Sequence, residues 1–435
     1  MPATAQPSDR QAEVRPGPDL RRRIVILNQA FYPDVVSTAQ HATDIALALV
    51  EAAYHVIVVT GARAYDDPSQ VFPARETWRG IEIIRVGSTS FGKTARWRRA
   101  ADFASYMAAC AVRLFLLRRC DLAIALTSPP LISWLGSLLV PLKAHALLFW
   151  AMDLNPDEAI AAGWLRADSF TGRTLAAVQL QSMRRATAII ALDRFMRDRM
   201  ISKGLPPDKI AVVPPWTHDL VRFDATRRQQ FRAAHGLSGK FVVMYSGNHS
   251  PCHPLDTVVQ AAQRLAGEAR IVFCFAGGGS EYRKLQALAR ERSMSNIVFL
   301  PYQPLPELGS SLSAADLHLV VMGDPFVGII HPCKIYNVLR VGAPVLYIGP
   351  AESHIADLFA GLGSDLVRSA RHGDVDAVVA HILAAVEQGR MPVQRHIDFA
   401  ARYSQELLAR QMVALVDAAC AQNTSHTDHF SGVDR

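Results

Sequence analysis

Short apolar runs, each followed by a segment of helix length, recur along most of this chain. In the first half they are Ile24–Leu27, His55–Val59, Gly80–Val86, Asp121–Leu126, Ala144–Ala151, Thr187–Ala191 and Lys209–Val213. After a charged helical stretch, Thr226–His235, a second series runs through Phe241–Ser246, Ile271–Ala276, Ile297–Leu300, Leu317–Met322 and Val345–Ile348. Most of these runs are apolar at consecutive positions, so both faces of each strand need cover. Strands spaced by helices give that cover in a parallel sheet, which predicts an α/β chain of two doubly wound, Rossmann-like domains. Pro214-Pro-Trp-Thr-His218 reads as the linker, placing the first domain over 21–215 and the second over 216–397. A long amphipathic stretch, Asp398–Ala419, dominates the segment 398–421. Residues 1–20 lack an apolar signal-like core and are expected to be a disordered lead, with 422–435 a frayed tail.

The twenty residues Leu131–Trp150 are apolar enough to suggest a membrane span, but Gly136, Pro141, Lys143 and His145 divide them into a helix and a strand. The six cysteines are dispersed, with no C-x-x-C pair, which suits a reducing cytoplasm. A formal charge of +7 attracts anions without choosing among phosphates, nucleic acid and an acidic membrane face. Cations cluster in Lys93-Thr-Ala-Arg-Trp-Arg-Arg99, ahead of an apolar helix from Phe103 to Leu117. This stretch is either a patch for an anionic membrane or a packed helix with a solvated basic end. Its cations are not interleaved with aromatic platforms, so nucleic acid is not expected as a partner.

Four stretches carry chemistry. The first is Phe326–Pro344, a loop, a short helix from Lys334 and a glycine stop at Gly342, set between two buried strands. Ligands of such βαβ units gather at strand carboxyl ends, and a helix start bearing His331 and Lys334 is expected to take a diphosphate. In the second, Phe241–Pro254, Gly247 permits a tight turn, and Asn248, His249 and His253 surround it. An ordinary surface loop, or a zinc site of His249, Cys252 and His253, would use the same residues, though a fourth metal ligand is lacking. The third is the glycine run Gly277-Gly-Gly279, which could cradle a phosphate or let a sugar pass close to the backbone. It has neither G-x-G-x-x-G nor a Walker lysine, which excludes dinucleotide-fold and P-loop ATPase readings. The fourth is Asp153 in Met152-Asp-Leu-Asn-Pro-Asp-Glu158. Its carboxylate either faces the cleft or caps the next helix, the role expected of Asp157 and Glu158.

Together these pieces resemble the retaining nucleotide-sugar glycosyltransferases of family four, over about residues 22–420. The carrying residues are Phe31-Tyr-Pro-Asp34 with Ser37-Thr-Ala-Gln40, Thr127-Ser-Pro-Pro130, Asp153-Leu-Asn-Pro156, Tyr245-Ser-Gly-Asn248, Ala276-Gly-Gly-Gly279, and Pro332-Cys-Lys-Ile-Tyr-Asn337 with Gly342-Ala-Pro344. The resemblance is to the branch that builds bacterial exopolysaccharide, colanic-acid-like polymer or O-antigen. It implies the GT-B fold, with two facing domains and a last helix crossing back to the first.

The resemblance places Gly247, Asn248, His253, Lys334 and the helix start Ile335, Tyr336 and Asn337 around the donor diphosphate and ribose. The loop Pro301-Tyr-Gln303 would lie near the base, and Gly277, Gly278 and Gly279 would line the donor site. Ser37, Thr38 and Gln40 would close over the phosphates, and Asp153 would face the reacting sugar. Where the family has an Arg and a Lys, this chain has Asn248 and His253. The family's paired Glu fall at Ile329 and Asn337, and its first-loop glycines at Ser37-Thr38, so Lys334 and His331 are expected to supply the missing charge.

The implied activity is transfer of a sugar from a nucleoside-diphosphate sugar to a hydroxyl, on a lipid-linked or other saccharide, with retention. No metal or other cofactor is expected, since no D-x-D lies in a donor loop. The implied location is cytoplasmic, peripheral on the inner membrane face. A nucleotide-sugar epimerase of the same shape and a non-catalytic nucleotide-sugar-binding partner are the alternatives.

Overall fold

In a computed structural model, residues 22–422 are described apart from 35, 65–68, 90, 92–95, 141 and 390. The expected lead and tail, and Lys93 of the basic cluster, lie outside them. The first domain's strands are β1 Arg23–Leu27, β2 His55–Gly61, β3 Arg75–Trp78, β4 Ile81–Val86, β5 Cys120–Ala125, β6 Ala144–Trp150, β7 Ala188–Ala191 and β8 Ile210–Val212. They form one sheet in the order β3-β4-β2-β1-β5-β6-β7-β8, parallel except for the edge pair β3–β4. The second domain holds β9 Phe241–Asn248, β10 Ile271–Gly278, β11 Ile297–Leu300, β12 Leu317–Val321, β13 Val345–Ile348 and β14 Val367–Ala370. Their order is β11-β10-β9-β12-β13-β14, and every pairing is parallel.

Both sheets reverse strand order beside the first strand of the domain, and ligand clefts of open α/β sheets form at such switch points. Strand residues that are apolar on both faces make this possible. Ile24, Ile26, Val56, Val58, Ile124 and Leu148 are fully buried. Each such aliphatic side chain contributes roughly 1.5–3 kcal/mol of burial. The twenty-residue apolar stretch is a helix, Ile132–Leu139, followed by β6. Leu131 takes a left-handed conformation (φ 67°) that leaves Pro129 and Pro130 in the loop before this helix. No helix among the described residues is long and apolar enough to cross a membrane.

The single helix expected over Asp398–Ala419 is two helices, Gln394–Ala400 and Gln405–Ala421. The break is held from outside: Thr217 N–H donates to Tyr403 O (2.8 Å), and Ser404 caps the second helix. Gln394–Ala400 packs on helix Lys334–Arg340 of the second domain, whereas Gln405–Ala421 packs on helix Ser37–Glu51 and on β5 and β6. Trp216, in the linker, is buried against His41 and Trp150 and donates to Asp44 (2.7 Å).

The loop 323–333 of the second domain lies along the first. Leu154 N–H donates to Ile329 O (2.9 Å), and the Arg199 guanidinium donates to Val327 O (3.2 Å). Gly328 sits at φ 68°, and a Cβ there would come within 2.5 Å of Phe195 O. The glycine therefore allows the two domains to touch at this point.

Candidate functional site

Two faces meet where the loop 323–333 gives way to helix Lys334–Arg340. On the second-domain face, β9 ends in the turn at Gly247, whose φ is 136°. The Lys334 ammonium reaches that turn: Nζ would lie 3.1 Å from a Cβ at Gly247 and is 3.5 Å from the Tyr245 ring centroid. Nζ is buried and has no hydrogen-bond partner, and burial pushes its pKa well below the usual lysine value. A buried donor without an acceptor costs about 1–3 kcal/mol, so this is a place prepared for an acceptor brought by a ligand.

The two histidines beside Lys334 are not cations. His253 Nδ1 donates to Val321 O (2.6 Å), and His249 Nδ1 donates to Gly247 O (3.0 Å). Burial first, and then the Lys334 charge, lowers His253 to about 3 and His249 to about 4. A neutral His253 in this tautomer offers Nε2 as an acceptor, which suits no phosphate oxygen. The expected role of His253 as a diphosphate donor therefore passes to Lys334.

Asn248 is exposed and its side chain lies against Gly279. The glycine run serves the chain's own backbone. A Cβ at Gly277 would fall 2.1 Å from Gly247 O, one at Gly279 would fall 2.3 Å from His249 O, and both residues have positive φ. At Gly278 the Tyr302 ring closes in instead, and Gln303 turns back to Pro301 O (2.9 Å).

Other expected donor residues face elsewhere. His331 has both ring nitrogens engaged, Nδ1 with Asp193 (2.7 Å) and Nε2 with the Tyr336 hydroxyl (2.8 Å), so neither is left for a diphosphate. Ile335 and Tyr336 are core residues, and their N–H groups turn back to Pro332 and Cys333 carbonyls at 3.3 Å. Asn337 Oδ1 accepts from His218 N–H (3.1 Å) in the linker. The helix start thus offers the Lys334 ammonium, in place of the row of free N–H groups expected from the sequence.

On the first-domain face, Asp153 follows β6. The next helix, Asp157–Ala161, is preceded by Pro156 with no side-chain cap, so Asp153 is not its cap. Asp157 pairs with Arg199 and Lys203, and Glu158 accepts from Asn155 Nδ2 (3.2 Å) and from the Cys252 thiol (3.7 Å). Burial, and next the Glu158 charge, raises the Asp153 carboxyl well above the usual carboxylate range. Asp153 and Ser37 both lie close enough to act on the Cys333 thiol, which donates to His331 O (3.2 Å). Ser37, Thr38 and Gln40 form the first turn of helix Ser37–Glu51, so the first-domain loop reaches the residue preceding Lys334. Asp153, Ser37, Lys334 and Gly247 thus gather at one seam.

Asp193 escaped the sequence reading, although it follows a strand end as Asp153 does. It caps helix Arg194–Ser202 and holds both His331 and His354 of the second domain. Among the described residues these three are the group spaced to hold a metal ion. The imidazoles lie face to face, with centroids 3.8 Å apart and planes 22° apart, so their in-plane lone pairs run side by side instead of converging. The group fits an interdomain hydrogen-bond clamp. His249, Cys252 and His253 likewise turn to three different partners and make no zinc set.

Residues 37–216 match the family described as "Glycosyl transferase 4-like domain". Over 236 residues the chain is 27% identical to the putative colanic acid biosynthesis glycosyl transferase WcaI of Escherichia coli K12. That alignment covers 52% of this chain and 54% of WcaI, so the match spans about half the relative's length. Sucrose-phosphate synthase from Thermosynechococcus elongatus superposes with a TM-score of 0.74 at 16% identity, covering 92% of this chain and 100% of that one. Anabaena Alr3699/HepE in complex with UDP-glucose superposes with a TM-score of 0.69 at 14% identity, over 92% and 100% of the two chains. The architecture is therefore GT-B, as the resemblance implies, and residues 37–216 are similar to the glycosyltransferase 4-like domain.

Proposed function

We propose that this chain is a glycosyltransferase that moves a sugar from a nucleoside-diphosphate donor to a hydroxyl of a saccharide acceptor. The observation that carries this reading is the Lys334 ammonium, buried without a partner at the Gly247 turn, in a seam that Asp153 and Ser37 enter from the other domain. A single enclosed cation beside a glycine turn suits the leaving diphosphate, whose charge grows in the transition state. The match to the glycosyltransferase 4-like family and the UDP-glucose complex of HepE support the same substrate class.

In the reaction the bond from the sugar's C1 to the diphosphate oxygen breaks and a bond from C1 to the acceptor oxygen forms. The acceptor's proton passes to the leaving diphosphate oxygen, on the same face of the sugar, which retains configuration. Lys334 holds the diphosphate. Asp153 hydrogen-bonds a sugar hydroxyl and orients it; it needs no nucleophilic role. The name of WcaI supports a surface-polysaccharide acceptor such as a lipid-linked saccharide. The membrane face of the reading rests on the exposed stripe Val112, Phe115 and Leu116 of helix Arg96–Leu116, with Trp97 and Arg98 at its start.

A thermal-shift screen across UDP-, GDP-, dTDP- and ADP-sugars tests the donor half, since a ligand bound at a hundred times its Kd stabilises by about 2.7 kcal/mol. No shift with any of them would remove the reading. With the donor identified, Asp153→Ala should still bind the nucleotide and lose transfer, whereas Asp153→Asn, which keeps a hydrogen-bonding group there, should retain part of it. Isomerised sugar from donor alone would give the chain to an epimerase instead.

A further inference from the structure

Tyr245 is fully buried, two residues before the Gly247 turn at the end of β9. Its hydroxyl donates to Asn248 O (2.8 Å), so the phenol spans the turn from the strand to the residue beyond the glycine. The His249 ring packs against it edge-on, with centroids 4.8 Å apart and planes at 68°. Strand and turn together fix the ring, and its face meets the Lys334 ammonium 3.5 Å from the centroid. Gly247 leaves that approach open, since a Cβ there would stand 3.1 Å from Nζ and 3.2 Å from Cε.

The neighbours of Nζ make this contact informative. Burial first holds the His249, His253 and His318 rings at about 4, 3 and 4, so none of them is charged at neutral pH. Burial pushes the Cys333 thiol up to about 12, so it is not an anion. The carboxyls of the seam, Asp153 and Glu158, act on the thiols of Cys252 and Cys333, and neither is hydrogen-bonded to Nζ. A carboxylate against Nζ would hold the ammonium, but it would also neutralise it and accept its N–H groups. A π face attracts a cation through its quadrupole and offers no lone pair, so the donors stay available to an arriving oxygen.

We infer that Tyr245 is a positioning residue for the diphosphate: its ring holds the Lys334 ammonium at the Gly247 turn in the role of a counter-ion, without neutralising it. The identity of the ligand rests on the glycosyltransferase reading above. Tyr245 acts through Lys334, so its effect lies in how long the amine keeps its proton as pH rises. In a desolvated site the contact favours the charged amine by about tenfold.

The test weakens the π face while keeping its shape. Tyr245→Phe removes the hydroxyl and keeps the ring, and phenylalanines bearing one, two and three ring fluorines at position 245 then strip the negative face stepwise. The full chain is melted without ligand in mildly acidic buffer, and calorimetry with inorganic pyrophosphate follows over a pH series. Across the fluorine series the melting temperature should fall about 2–4 °C further in the wild-type background than in Lys334→Met, the non-additivity that a direct contact requires. Tyr245→Phe should keep the wild-type pH at which pyrophosphate affinity falls away. Three fluorines should move that pH down by about one unit, with binding about tenfold weaker above it. If the trifluoro chain does not fold, the mono- and difluoro chains carry the comparison. Equal melting shifts in the two backgrounds, a pH midpoint that stays put along the series, or no pyrophosphate binding by any chain overturns the proposal. Nucleotide-sugar binding with an unmoved midpoint removes Tyr245 and leaves the transferase reading standing. Coupled melts and a moving midpoint, with no nucleotide sugar raising the melting temperature, uphold Tyr245 and remove the transferase reading.

Discussion

Replacing Lys334 by Met separates what the seam does for binding from what it does for stability, because the two effects should have opposite signs. The ammonium is buried without an acceptor, which costs the empty protein about 1–3 kcal/mol. Methionine keeps the length and the contact with Tyr245 while removing the orphaned donor. Loss of the cation–π contact, 3.5 Å from the ring centroid, offsets roughly 0.5–2 kcal/mol of that gain. The net expectation is a gain of about 1 kcal/mol, or a melt about 2–4 °C higher for a domain of this size. Donor binding should move the other way. A charge-assisted hydrogen bond to diphosphate is worth about 1.5–3 kcal/mol, so affinity should fall roughly 10- to 150-fold.

The pH dependence of Lys334→Met follows from the same burial. Folding lowers the Lys334 pKa below its ordinary 10.5, so the folded empty chain binds fewer protons here than the unfolded chain. Wild-type stability therefore rises with pH through the window below 10.5, and the advantage of Lys334→Met shrinks across it. An anionic donor favours the charged form of Lys334, so donor affinity should fall with rising pH in wild type and not in the variant. A lower melting temperature combined with unchanged nucleotide affinity would refute the reasoning.

Asp193→Asn should cost about 1–3 kcal/mol at neutral pH, since the amide has one acceptor oxygen to serve both the Met196 N–H cap and the buried His331 and His354 rings. Burial works to raise the Asp193 carboxyl, but the His331 hydrogen bond and the His331 and His354 charges outweigh it and hold it below 3.8. Its contribution is therefore complete above 3.8 and lost as pH falls through the lowered folded value, so acid melts of wild type and Asp193→Asn should converge. Gly277→Ala, whose methyl would meet Gly247 O at 2.1 Å, should part β9 from β10 and lower the melt by more than Lys334→Met raises it. The triple change Trp97→Ser, Phe115→Ser, Leu116→Ser removes side chains that are 63%, 68% and 67% exposed. It should release the chain from anionic vesicles in a sedimentation assay without altering donor binding, and unchanged sedimentation would end the membrane reading.

The parallel strands were legible because burial on both faces leaves a continuous apolar run, as in Ile24–Leu27 or Leu317–Val321. The strands that escaped are edges. β3 reads Arg-Glu-Thr-Trp and β14 reads Val-Arg-Ser-Ala, and an edge strand half-open to water carries no such run. Position along the chain places Gly247, Asp153 and Lys334 each at a strand or helix terminus, and these three come to the same seam. Position was not enough for His331, Ile335, Tyr336 and Asn337. Their roles depend on which residue of the other domain stands opposite, and Asp193 lies 138 residues from His331 in the chain. The neutral state of His253 was also beyond reach, since it follows from a carbonyl on β12 and a lysine on another helix.

The positions where the resemblance would put two carboxylates show what this chain does differently. Ile329 gives its carbonyl to Leu154 N–H, and Asn337 gives its side-chain oxygen to His218 N–H. Position 329 now holds the two domains to each other, and position 337 holds the linker to the second domain. A charged acid at position 329, which is 3% exposed, would need a partner that the apolar seam does not supply. The loss of the acids and the neutrality of His253 are then consistent with each other. With no carboxylate facing the turn, one ammonium remains uncompensated, and a second cation beside it would only add repulsion in a buried space. A diphosphate arriving there meets a single positive charge, a glycine turn and the first-domain loop at Ser37. The contacts that fix those parts relative to one another are the same ones that replaced the acids.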